Sequence, residues 1–175
     1  MTMAEFFQRY GRLFVIGSVV CAALAPLQGQ RAQGQNPACA LLTTAEVRTV
    51  TGFAGYGNPS PGDPPGQGAG GGASCQYEAT SGKGPLLSIV LIEGKNYTQT
   101  VPIGRGCNKE TAAGVGDQAF FEVCPAARRF RTPPLYVKAG TRDLIVQMDI
   151  KTPDTDTTIR PKVIAVAKAA VAKLK

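Results

Sequence analysis

The chain has 175 residues, 19 Lys and Arg against 12 Asp and Glu, a net charge of +7, and no histidine. The missing imidazole removes the usual general base and the commonest nitrogen metal ligand, which argues against His-dependent nucleophilic catalysis and against clustered Cys/His metal centres. The length suffices for one domain with a real core and is too short for a leader plus two domains.

Residues 1 to 29 read as a secretory signal peptide. Arg9 and Arg12 form a positive flank, and Leu13 to Leu27 form an uncharged apolar run. A membrane span needs about 20 apolar residues, so this run is short for one. Cleavage is the expected fate, with tethering by an uncleaved signal as the alternative. Ala23-Leu24-Ala25 has the small-x-small pattern but is followed by Pro26; a cut after Gly29 is the second choice. Losing residues 1 to 29 removes Arg9, Arg12 and Glu5 and leaves a net charge of +6. The expected location is the periplasm or the extracellular space.

Cys21 leaves with the signal, so Cys39, Cys75, Cys107 and Cys124 remain, and an even count in an exported chain reads as disulfides. Lipid attachment needs a cysteine directly after the apolar run. Cys39 lies a dozen residues beyond that run and Cys21 sits inside it. No two cysteines have CxxC spacing, so no metal is expected. Of the three possible pairings, Cys39–Cys75 with Cys107–Cys124 is favoured. The second bridge closes a short loop of 16 intervening residues, and the first straps a helix to a strand across a low-complexity stretch.

Residues 30 to 38 read as a polar tether. Thr43 stands three residues before Glu46, the capping-box spacing, and Leu42, Val47 and Val50 supply an apolar stripe that ends at Gly52; this predicts a helix over 44–51. Residues 55–74 carry eight glycines interspersed with prolines and read as a disordered loop. A phosphate cradle would need a preceding strand, a following helix and a Lys-Ser/Thr pair, none of which is present.

From residue 75 the hydrophobic period becomes two. Segments 75–79, 85–94, 119–123, 134–140 and 142–150 read as strands, the second apolar on both faces and therefore central. The last two form a hairpin around Ala139-Gly140-Thr141. Residues 95–114 read as largely irregular, with room for one helical turn. In the C-terminal helix, positions 160, 163, 164, 167, 170, 171 and 174 share a stripe that is apolar except for Arg160. Its Ala and Val content suits packing on a sheet better than insertion into a membrane surface. The expected fold is α+β: an antiparallel sheet of about five strands packed with an N-terminal and a C-terminal helix and stapled by disulfides.

The order CALLTTAEVRTVTG, a glycine-rich gap, SCQYEA, GVGDQAFFE, LYVKAGTRDLIVQMDI and an alanine-rich final helix resembles a family of small secreted bacterial proteins. Many members are lipoproteins, they are best represented in actinomycetes, and their function is unassigned. The resemblance spans residues 37 to 174 and lies in the order of the motifs. It implies a Cys39–Cys75 disulfide, an α+β sheet domain, an exported location and no catalytic residues. The chain departs from the pattern in lacking a clear lipid-attachment cysteine and in carrying Tyr77 where tryptophan is common.

Three constellations bear on function. Arg128, Arg129 and Arg131 surround Phe130; the plainer reading is a charged loop that aids solubility, and the functional one is a candidate polyanion-binding cluster. In an exported protein its partner would be an envelope protein or an anionic surface; no nucleic acid is expected. Phe120, Tyr136 and Ile145 are expected on an exposed sheet face suited to binding. Glu93, Glu122, Asp143 and Asp149 could pair as acid and base, yet on amphipathic strands they read first as a solvated face. Ser81 and Lys83 lie in a turn, and Asp117 reads as an Asx turn. The functional expectation is an exported non-enzymatic binding or accessory module of the cell envelope, with no cofactor and no catalytic residues. The alternative is a small carboxylate-based hydrolase.

Overall fold

Thr43 and Glu46 form the reciprocal cap that starts the first helix. The Thr43 amide donates to Glu46 Oε2 at 2.8 Å, and the Glu46 amide donates to Thr43 Oγ1 at 3.2 Å. The helix α1, Thr44–Thr51, stops at Gly52, whose φ of 68° gives the left-handed turn that a residue without Cβ adopts at no steric cost. These details come from a computed structural model, which describes residues 36–62, 72–94, 96–124, 132–149 and 156–175. Residues 1–29, expected as a signal peptide, lie outside the described residues, and Gln35–Lys175 make up one compact unit.

After α1 come β1 Ser60–Pro61, β2 Ala73–Tyr77, β3 Leu87–Glu93, α2 Tyr97–Thr100, β4 Asn108–Thr111, β5 Gln118–Val123, β6 Leu135–Ala139, β7 Arg142–Met148 and α3 Asp156–Ala172. All strands join one antiparallel sheet in the order β1-β2-β3-β7-β6-β5-β4. The expected α+β class and antiparallel sheet are therefore present, with seven strands rather than about five. The two additional strands, β1 and β4, lie at the sheet edges and are exposed at every position. Neither has a hydrophobic alternation to reveal it. Both edges are short, one ends in proline and the other carries Lys109 and Glu110; such features blunt an edge against further pairing.

The register aligns apolar side chains in rows across the sheet. Cys75, Ile89, Val146, Leu135 and Phe121 are successive partners from β2 to β5, and all are buried. This is the face that receives the helices. α3 packs on β6, β7 and α1, burying Ile159, Val163, Val166, Ala167, Ala170 and Val171. The buried stripe is rotated relative to the expected one. Ile159 and Val166 take core positions, while Arg160 is only half-buried and pairs with Glu110 at 2.5 Å.

Cys39 bridges Cys75 with a Cα separation of 5.0 Å, and Cys107 bridges Cys124 with one of 4.1 Å. Two bridges fit an oxidising environment. Among the described residues, no helix is long and apolar enough to cross a membrane.

Two expected boundaries shift. Residues 36–38, expected in the tether, belong to the fold: the Asn36 side-chain amide donates to the Ser74 carbonyl at 2.8 Å and Ala38 is buried. The segment 55–74 is not a continuous disordered loop. Tyr56 is buried and bridges Ala79, Ser60 and Pro61 pair with Gln76 and Cys75, and Ala73 begins β2. Residues 63–71 lie outside the described set.

Candidate functional site

On the face opposite the helices, Ser74, Val90, Ile145, Tyr136, Phe120 and Thr111 form the equivalent row from β2 to β4. The expected trio Phe120, Tyr136 and Ile145 therefore share one face and are direct neighbours across strands. Their exposure differs from the expectation. Phe120 is 3% and Tyr136 8% exposed, and Ile145 is half-buried. The chain from Asn96 to Cys107 runs over this face as a strap.

The strap begins at Asp143. This residue, expected among the solvated carboxylates, has 0% exposure, and its two oxygens accept from the Tyr97 and Thr98 amides at 3.0 Å each. The first amides of a helix have no partner within the helix, and a carboxylate placed there satisfies two at once. Val101 then packs with Phe120 and Tyr136, and Tyr97, Ile103 and Ile145 fill in around them. The Phe120 and Tyr136 rings stack with centroids 5.1 Å apart, and Tyr97 lies tilted at 6.3 Å from Tyr136.

Glu122 holds the middle of the strap. Its Oε1 accepts from the Gly104 amide at 2.8 Å and its Oε2 accepts from the Tyr136 hydroxyl at 3.0 Å. The Tyr97 hydroxyl has its pKa raised, first by burial and then by the negative charge of Glu122. At the far end, Cys107 and Cys124 continue the β4–β5 register one step beyond Asn108 and Val123. One Sγ from each and a Glu122 carboxylate oxygen lie within 4.8 Å of one another. While the bridge is intact, neither sulfur is a thiolate that could hold a metal.

At the β4–β5 hairpin, an open cleft of about 290 Å³ is lined by Lys109, Thr111, Gly114, Asp117, Gln118 and Phe120, among others. Lys109 Nζ sits 4.3 Å from the centroid of the Phe120 ring, and among the described residues it has no ion-pair partner. An ammonium on an aromatic face, next to a cleft, can still accept an anionic group. Sequence reading passed over Lys109 because NKET has no apolar period.

The remaining candidates are placed separately. Glu93 forms an exposed ion pair with Arg142 at 3.4 Å. The Asp149 amide donates to the Leu86 carbonyl. Asp117 does not form the expected local Asx turn. Its Oδ2 accepts from the Gly140 amide at 2.7 Å and its own amide donates to the Lys138 carbonyl, tying the entry of β5 to the β6–β7 hairpin. Ser81 accepts from the Lys83 amide within a turn. Arg128, Arg129, Phe130 and Arg131 lie outside the described residues. No protein-family model matches this chain, and no curated protein or solved structure matches it either.

Proposed function

We propose that the protein is an exported, non-enzymatic binding or accessory module of the bacterial cell envelope that takes an acidic partner at the β4–β5 cleft. The observation that carries this reading is Lys109, a cation without an ion-pair partner among the described residues, seated on Phe120 at the mouth of the cleft. The net charge, +7 for the whole chain and +6 without residues 1–29, favours encounter with anionic surfaces or acidic envelope proteins. The two disulfides support an oxidising destination. Membership of the secreted actinomycete-type family, which the motif order resembles, belongs to the same proposal.

The carboxylate-hydrolase alternative has no comparable support. Asp143 and Glu122 are each occupied by two donors that hold the strap, and Glu93 is spent on Arg142.

The test is co-sedimentation with vesicles of anionic or zwitterionic headgroup, alongside titration with an acidic peptide, across a range of salt. Binding should be confined to the anionic probes and fall steeply with salt, since exposed charges are screened over about 8 Å near physiological ionic strength. Lys109→Ala should remove it, whereas Lys83→Ala in the exposed β2–β3 turn should not. Binding that survives Lys109→Ala but not serine at Arg128, Arg129 and Arg131 would move the site to that cluster. No binding to any anionic probe would overturn the reading.

A further inference from the structure

Strand periodicity puts Cys107, Lys109 and Thr111 on one face of the sheet, together with Cys124, Glu122 and Phe120 across the pair. Cys107 and Cys124 are both half-buried, while in the other bridge Cys39 is half-buried and Cys75 fully buried. An external thiolate can therefore approach either sulfur of the 107–124 bridge but only one sulfur of the other. Glu122 stands beside it as a ready oxygen ligand, within 4.8 Å of both sulfurs. The Gly104 amide and the Tyr136 hydroxyl each hold one of its oxygens, as outer donors orient a ligating carboxylate in metal sites.

We propose that opening the Cys107–Cys124 bridge with a dithiol reductant converts it into a zinc site made of two thiolates and the Glu122 carboxylate, with water in the fourth position. One thiolate of the reductant attacks a bridge sulfur, and its second thiol resolves the mixed disulfide. The reductant leaves as its own disulfide, and Cys107 and Cys124 are left as thiols. Binding of Zn²⁺ releases both thiol protons to solvent and leaves a complex of net charge −1. Lys109, the register partner of Glu122, places a cation beside it.

Tetrahedral zinc with Zn–S bonds of about 2.3 Å needs its two sulfurs about 3.7 Å apart. Separating the two bonded sulfurs requires side-chain rotation, with the strand register kept. Three protein ligands and one water make an open site, and the two soft sulfurs favour zinc over magnesium or calcium. The metal takes over the bridge's task of pinning the strap to β5.

The test uses the full chain with both bridges formed, treated with limiting dithiothreitol and then desalted without oxygen. Alkylation and peptide mass analysis should find Cys107 and Cys124 modified while Cys39 and Cys75 stay joined. Zn²⁺ at one equivalent should slow that alkylation about tenfold or more, and Co²⁺ should give a thiolate-to-cobalt charge-transfer band that Zn²⁺ abolishes. Glu122→Gln keeps an oxygen to accept from the strap but loses the anionic ligand; it should weaken zinc at least about tenfold with the amide-exchange pattern of the strap retained. Alkylation indifferent to Zn²⁺, equal zinc affinity in Glu122→Gln, or simultaneous opening of both bridges would each overturn the proposal.

Discussion

Lys173 Nζ lies 2.9 Å from Glu46 Oε1, so the end of α3 is fastened to the first turn of α1. Glu46 accepts from the Thr43 amide and hydroxyl with its other oxygen, which makes one carboxylate both a helix cap and an ion-pair partner. Its pKa falls from 4.5 to about 2, owing first to the Thr43 amide, then to the hydrogen bond with Lys173 and to the Thr43 hydroxyl.

A depressed carboxylate contributes stability above its unfolded pKa and loses it as pH falls toward its folded pKa. The Glu46 contribution should therefore be complete above about pH 4.5 and disappear toward pH 2. Urea midpoints measured from pH 7 down to 2 should decline less steeply in Glu46→Gln than in the parent, with the two curves converging at the acid end.

Asp143→Ala should destabilise the domain by about 2–4 kcal/mol, because two buried charge-assisted hydrogen bonds are lost and two amides are left without an acceptor. Asp143→Asn, which keeps one acceptor oxygen, should cost about half as much. Amide exchange at Tyr97 and Thr98 should accelerate before exchange in β3 or β7 does. Parent-like protection at those two amides in Asp143→Ala would show that the strap is held by other contacts.

Tyr77 is buried, and its hydroxyl donates to the Leu42 carbonyl at 2.5 Å, fastening the lead-in to α1 onto β2. Burial, followed by the charge of Glu46, raises its pKa to about 12. The protonated phenol is the folded form, so its contribution holds below pH 10 and is lost as pH rises through 12. Tyr77→Phe should cost about 1–2 kcal/mol at neutral pH by leaving a buried carbonyl unpaired, and should flatten the alkaline decline seen in urea midpoints.

The two bridges should differ in worth. Chain-entropy arguments assign about 4 kcal/mol to a bridge spanning 36 residues and about 3 kcal/mol to one spanning 17. Replacing Cys39 and Cys75 together with alanine should therefore lower stability more than the same change at Cys107 and Cys124. Denaturant titration of the two double variants measures the order. The parent made in an oxidising compartment should react with no thiol reagent after denaturation without reductant at Cys39, Cys75, Cys107 or Cys124.

The strands that carry the core were legible because half their side chains are apolar in a strict period of two. Leu144, Val146 and Met148, at alternate positions of β7 and all buried, show that period. β4 was not legible, since an edge strand exposed along its whole length needs no apolar alternation. The same alternation rule placed Asp143 with the solvated carboxylates and Phe120 with Tyr136 on an open face. It gave the side of the sheet correctly and the environment wrongly. What covers that side is a segment some forty-five residues earlier in the chain, joined through Asp143 to the Tyr97 and Thr98 amides. No local pattern in either segment announces that meeting. The Thr43–Glu46 cap was readable because both halves fall within one turn of helix.

The Cys39–Cys75 bond also sets how the domain bears mechanical load. Tension applied between the N-terminal segment and Lys175 travels along the shortest covalent route, which at Cys39 crosses through sulfur to Cys75 in β2. Helix α1 and the chain between the two cysteines lie off that route and gain no contour length when the domain is stretched. At its N-terminal end a force ramp would act on the hydrogen bonds joining β2 to β3, and the unfolding step would be shorter by the residues the bond encloses.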